Sequence, residues 1–95
     1  MAADIRTVHV KIEGRVQGVG YRAWTYRVAT GLGLAGWVRN RTDNAVEAVF
    51  QGPREAVRDM LVLCEKGPSG ASVTSVEVLG EGVGVFDGFE VRPTA

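Results

Sequence analysis

Cysteine is nearly absent. The one thiol, Cys64, cannot form an internal disulfide, so a reducing cytoplasm is the expected setting. Histidine is just as scarce: His9 stands alone, and no cluster of Asp, Glu, His or Cys has metal-ligand spacing, so no metal and no cofactor is expected. No apolar run approaches the roughly 18–20 residues of a membrane span, and the N-terminus carries no signal-peptide pattern, which argues against a membrane partner. Charge of one sign is missing too. Eleven basic residues balance eleven acidic ones, so nothing in the global charge points to nucleic acid or an anionic surface. Any anion site must be built from local geometry. Aromatic residues make up only 7% of the chain, too few for a base-stacking sheet. Repeats, low-complexity tracts and charge blocks are also lacking. The 95 residues are enough for one domain, 1–95, with a modest core.

Glycine, by contrast, is plentiful, and three of the thirteen fall in Gly14-Arg15-Val16-Gln17-Gly18-Val19-Gly20-Tyr21-Arg22. This stretch follows an alternating strand and precedes a helix-like run. Its glycines allow positive φ and a tight curl, which turns backbone N–H groups inward beside a helix start of partial positive charge. Arg22, in the first helical turn, adds a planar donor fork suited to phosphate or carboxylate. The physical reading is an anion cradle with an arginine lid. The plain alternative, a tight turn beside a solvated arginine, fits the spacing equally well. Two familiar phosphate loops are excluded. No Lys-Ser/Thr pair follows Gly20, and the third glycine of a dinucleotide fingerprint is replaced by Ala23.

Periodicity supplies the frame. Arg6 to Glu13 alternates, with Val8, Val10 and Ile12 on one face and His9, Lys11 and Glu13 on the other, as a half-buried strand does. Tyr21, Trp24, Val28 and Leu32 recur at helical spacing, and Gly31 and Gly33 close that helix. Leu34 to Asn40 reads as a second strand, Arg41 to Asn44 as a hairpin turn, and Ala45 to Gln51 as a third strand. Gly52-Pro53 opens a second helix with proline in its first position, striped by Val57, Met60, Leu61 and Cys64 and stopped by Lys66-Gly67-Pro68. Val73 to Val78 is a strand with broken alternation, which predicts a bulge or a late start. Phe89 and Val91 mark a short last strand. The order βαββαβ plus a terminal strand predicts a ferredoxin-like α+β sandwich, an antiparallel sheet with two helices on one face.

That topology gathers separated residues. A βαβ crossover makes strands one and two point the same way, so their C-terminal ends share one edge. The cradle leaves strand one there, Arg22 begins the helix there, and Asn40 ends strand two there. Asn40 shares the parity of core-facing residues and is expected to point towards the helix layer. Arg39 has the opposite parity and is expected to face away. Arg15, Arg39 and Arg41 are read as solvated, His9 as a solvated strand histidine, Cys64 as core, and Trp37 as cover for the open sheet face.

Gly14-x-Val16-Gln17-Gly18-Val19-x-Tyr21-Arg22 resembles the first signature of the acylphosphatase family. Gly36-Trp37-Val38-Arg39-Asn40, with Val46 and Gly52 following, resembles the second. The resemblance covers nearly the whole chain. It departs at Asn44, where the family pattern has glycine; asparagine tolerates left-handed backbone best among the other residues, so the turn is expected to survive.

The resemblance implies an enzyme that hydrolyses the carboxyl–phosphate bond of small acyl phosphates to a carboxylate and inorganic phosphate, without metal. It implies that Arg22 binds the phosphate and Asn40 positions the attacking water. The backbone of Arg15, Val16, Gln17, Gly18, Val19 and Gly20 forms the cradle. Such a site needs no nucleophile of its own, because a carboxylate leaves readily from a mixed anhydride and the work left is holding, charge neutralisation and in-line placement of water. Two other readings remain open: a non-catalytic ferredoxin-like module that binds a small anion, and a domain detached from a larger carbamoyl-transfer enzyme. A free-standing protein is the expectation, since the chain ends close to its last strand, and a monomer is expected.

Overall fold

The computed structural model describes residues 4–82 and 84–95. Its elements run β1 (Ile5–Arg15), α1 (Tyr21–Gly31), β2 (Ala35–Asn40), β3 (Val46–Pro53), α2 (Arg54–Lys66), β4 (Ser72–Glu81) and β5 (Phe89–Val91). The strands form one sheet in the order β4-β1-β3-β2-β5. This is the expected ferredoxin-like α+β arrangement, with both helices packed on one face. No helix among the described residues is long and apolar enough to cross a membrane.

The alternation of β1 works as its sequence predicts. Val8, Val10 and Ile12 are fully buried and meet Val46, Ala48 and Phe50 of β3, Val57, Met60 and Cys64 of α2, and Val38 of β2. Phe50 stacks on Phe89 at 5.8 Å between ring centroids, which carries the core to the β5 edge. Truncating such a ring to alanine costs about 3–5 kcal/mol.

Helix α1 differs from its expected stripe. Tyr21, Thr25 and Ala29 are the buried residues, while Trp24, Val28 and Leu32 flank them, partly buried against the core. Small residues spaced four apart let the helix lie close to the sheet, and the Thr25 hydroxyl donates to the Tyr21 carbonyl at 2.8 Å, so no polar group is stranded. The helix ends as Gly31 and Gly33 foretell. Gly33 takes φ +74°, its N–H donates to Thr30 O and the N–H of Leu34 to Ala29 O, the paired bonds that satisfy a helix's last carbonyls.

Three further differences have local causes. Pro53 precedes the first helical residue of α2 instead of filling it; its ring still costs no hydrogen bond there. Strand β4 is longer than its alternation suggests because two register shifts against β1 absorb Leu79 and Thr74, the predicted irregularity occurring twice. Strand β5 pairs parallel to β2, so the sheet is mixed and not wholly antiparallel. The chain leaves β4 at one edge and crosses the helix-free face to the other. On the way Gly82 N–H donates to Thr7 O, the Gln51 side chain bonds Gly84 and Phe86, and Gly36 N–H donates to Gly88 O. Asn44 takes φ +73°, the left-handed conformation expected of it.

Candidate active site

Two of the signature glycines serve packing. A Cβ on Gly14 would lie 2.2 Å from Ser72 O, and one on Gly36 would lie 1.9 Å from Val49 O. Both positions have positive φ and neighbouring strands pressed against them. Gly18 and Gly20 are different. They sit in open space, yet take φ +75° and +78°, so glycine is needed there for backbone shape alone. Left-handed residues on both sides of Val19 curl the loop, and Gly20 enters α1 with no side-chain cap and no acid in the first turn. The first amides of α1 are thus left without a side-chain acceptor at the positive end of the helix.

Beside this loop lies a cleft of about 350 Å³, lined by Val16, Gln17, Gly18, Gly20, Tyr21, Arg22, Ala23, Asn40 and Val91. The loop, the first turn of α1 and the end of β2 meet there, as the βαβ argument requires. Of the expected cradle residues, Arg15 and Val19 are not in the lining. Arg15 is exposed at the end of β1, and Val19 packs against the core cluster.

Among the described residues, the side chains of Arg22 and Asn40 have no hydrogen-bond or ion-pair partner. Arg39 and Arg41 contrast with this. Both were expected to be solvated, but Arg39 Nη2 lies 2.9 Å and Arg41 Nη1 3.5 Å from Glu47 Oε1, and Arg41 Nε lies 3.1 Å from Asp43. His9 is paired as well, though its side chain stays about one-third exposed: its Nε2 meets Glu47 Oε2 at 2.5 Å. Glu47 is only 4% exposed. No sequence signal separated this carboxylate from an ordinary strand-surface glutamate. Arg39 does face away from the cleft, lying over the Trp37 ring at 4.8 Å, and Trp37 covers the open sheet face as expected.

Sequence reasoning also missed what the Gln17 side chain does. Its Nε2 donates to Arg41 O at 2.8 Å and to Ala45 O at 2.9 Å, joining the glycine loop to the β2–β3 hairpin. The place of Gln17 within the glycine motif is the available signal, but the motif by itself speaks only for the backbone of the loop. Tyr21 anchors the other end of the loop. Its hydroxyl donates to Cys64 O at 2.7 Å, and burial pushes the phenol far above its ordinary range, so it stays a neutral donor. The β2 end is held by the C-terminal tail, where Ala95 N–H donates to Asn40 O.

Among the described residues no three Asp, Glu, His or Cys side chains converge as metal ligands would. What the cleft offers is one guanidinium, the unpartnered carboxamide of Asn40 beside the engaged one of Gln17, the amides of a curled loop, and carbon from Val16, Tyr21, Ala23 and Val91. This suits a small dianion that carries an apolar substituent.

Fold and cleft define a class, a ferredoxin-like α+β protein whose cleft opens where β1 and β2 end. Residues 8–91 match the acylphosphatase family. An acylphosphatase of Rhodospirillum rubrum is 49% identical over 90 residues, spanning 95% of this chain and 99% of its own. One of Cupriavidus metallidurans is 47% identical with 100% of each chain covered. The solved structure of an acylphosphatase from Coxiella burnetii superposes with a TM-score of 0.89 at 33% identity, covering 94% of each chain. The chain belongs to the acylphosphatase family. It is a hydrolase of the carboxyl–phosphate bond in small acyl phosphates, releasing a carboxylate and inorganic phosphate.

Proposed function

We propose that Arg22 and the backbone amides of the Arg15–Gly20 cradle hold the phosphoryl group, and that Asn40 orients the water that attacks it. The observation that supports this reading is the company the two side chains keep. They are polar groups lining one cleft and lacking partners among the described residues, while neighbouring Arg39 and Arg41 are paired elsewhere.

In this reading the phosphate sits at the uncapped start of α1. Its oxygens accept from the loop amides, and the Arg22 guanidinium offsets the charge that spreads over them in the transition state. The side-chain carbonyl of Asn40 accepts a hydrogen bond from a water placed opposite the acyl oxygen. The water oxygen bonds to phosphorus as the phosphorus–acyl-oxygen bond breaks. The carboxylate departs with the bonding pair, and the water's proton passes to a phosphate oxygen, so no protein base is required. The acyl substituent lies against Ala23 and Val91. The protein acts as one domain, 1–95, as a monomer in the cytoplasm.

Hydrolysis of benzoyl phosphate, followed by ultraviolet absorbance, tests the roles. Arg22→Ala is expected to abolish turnover and weaken competition by inorganic phosphate. Asn40→Ala is expected to lose turnover while phosphate still competes. Near-normal turnover by Asn40→Ala would remove it from the mechanism. Phosphate binding without turnover in the folded wild type would instead favour an anion-binding module.

A further inference from the structure

The face of the sheet opposite the helices carries a buried carboxylate for which hydrolysis has no direct use. Glu47 is the second residue of β3, directly across from Arg39 on β2 and Lys11 on β1. A carboxylate so deep in a sheet is tolerated only when paired, and an apolar residue of similar size is often at least as stabilising. A carboxylate placed there points to a task besides stability.

The pairing pattern indicates which task. Oε1 of Glu47 takes Arg39 through Nη2 at 2.9 Å and Nε at 3.0 Å, and Arg41 through Nη1 at 3.5 Å. Oε2 takes His9. Arg39 and Arg41 are the residues on either side of Asn40. Strand alternation sends their guanidiniums to the helix-free face and the Asn40 carboxamide to the cleft. One carboxylate oxygen therefore tethers the backbone on both sides of Asn40. The carboxamide has no partner of its own among the described residues, so its aim depends on how firmly that backbone is held. Asp43 draws on the same charges, taking Arg41 at 3.1 Å and Lys11 at 3.3 Å.

We propose that Glu47 is a positioning residue for the hydrolytic step, acting from the back of the sheet through Arg39 and Arg41 to fix the direction of Asn40. The inference rests on the proposed role of Asn40 in orienting water. Glu47 touches neither the cleft nor the glycine loop, so phosphate binding does not depend on it.

The test is a set of variants assayed with benzoyl phosphate, with inorganic phosphate as competitor and urea unfolding as the check on folding. Glu47→Gln keeps the volume but not the charge that gathers both arginines. Its kcat is expected to fall about ten- to hundredfold, the scale of a misplaced reacting group, with the phosphate inhibition constant unchanged. The decisive comparison is Glu47→Gln in the Asn40→Ala background, read at high enzyme concentration on the slow residual hydrolysis of Asn40→Ala, where it should add no further loss. Wild-type turnover in Glu47→Gln, a parallel loss of phosphate affinity, or full additivity with Asn40→Ala would each overturn the proposal. Should Glu47→Gln fail to fold, Arg41→Gln, which leaves Arg39 and His9 on Glu47, is expected to show the same split more weakly. An unaffected kcat there would overturn the proposal as well. If Asn40→Ala itself keeps normal turnover, the failure lies in the reading of Asn40, and the two failures are told apart.

Discussion

The side-chain amide of Gln17 donates to the Ala45 carbonyl at 2.9 Å, across 28 residues of sequence. With its second bond, to Arg41 O at 2.8 Å, it spans both ends of the β2–β3 turn. Gln17→Ala removes both donors but leaves the carbonyls their turn bonds from Ala45's partner Arg41 N and from Asn44 N. A stability loss of about 1–2 kcal/mol is expected by urea unfolding. The larger effect should be on phosphate competition, which weakens as the glycine loop loses its tie to the hairpin.

Gly20→Ala and Gly36→Ala should behave differently although both replace left-handed glycines. Gly20 has open space around it, so the cost is backbone conformation alone, about 1–2 kcal/mol, and the variant should fold with impaired turnover. At Gly36 a Cβ would meet Val49 O at 1.9 Å inside a paired strand. That variant should not reach a native circular dichroism spectrum. Equal behaviour of the two would show that the space around each glycine does not decide its cost.

Acid should destabilise the fold partly through Glu47. Burial pushes its carboxyl up, but the hydrogen bonds from His9 and Arg39 and the Arg39 charge outweigh this and hold it below its usual value of 4.5. A depressed folded-state value means that the group's contribution is complete above the unfolded value and disappears as pH falls through the folded one. Unfolding free energy measured by urea from pH 7 downwards should therefore drop below about pH 4.5, and less steeply in Glu47→Gln. A slope identical in both proteins would remove Glu47 from the acid response.

Cys64 should be silent in the native protein. It is fully buried, and burial pushes its thiol up to about 12, so little thiolate exists at neutral pH. A thiol reagent such as dithionitrobenzoate should react only at the rate of unfolding and promptly in denaturant. Fast reaction under native conditions would contradict the packing of α2 on the sheet.

Much of this protein is legible from local pattern. Alternation in β1 and β3, the apolar stripe of α2 and the glycines that end α1 each depend on residues a few positions apart, and periodicity reports such spacing directly. The βαβ crossover then brings Arg22 and Asn40 to one edge by handedness and direction alone. Asn44 is left-handed because few other side chains tolerate that backbone.

Other features required the assembled chain. Glu47 reads like any outward strand residue until His9 of β1 and Arg39 and Arg41 at the end of β2 enclose it. Gln17 has a backbone role in its motif, and its side chain finds its acceptors only once the hairpin lies beside the loop. Thr25 and Ala29 take the inner face of α1 because close approach to the sheet favours small residues over the larger stripe beside them. Strand β5 pairs parallel to β2 because β4 occupies the far edge and the chain must recross the open face to find an unpaired strand. Sequence by itself determined the elements, their order and the edge where the cleft lies, since these follow from short-range sterics and burial. Which buried charges meet, which face of a helix turns inward and how the last strand docks were decided by tertiary structure, because each depends on partners distant in the chain.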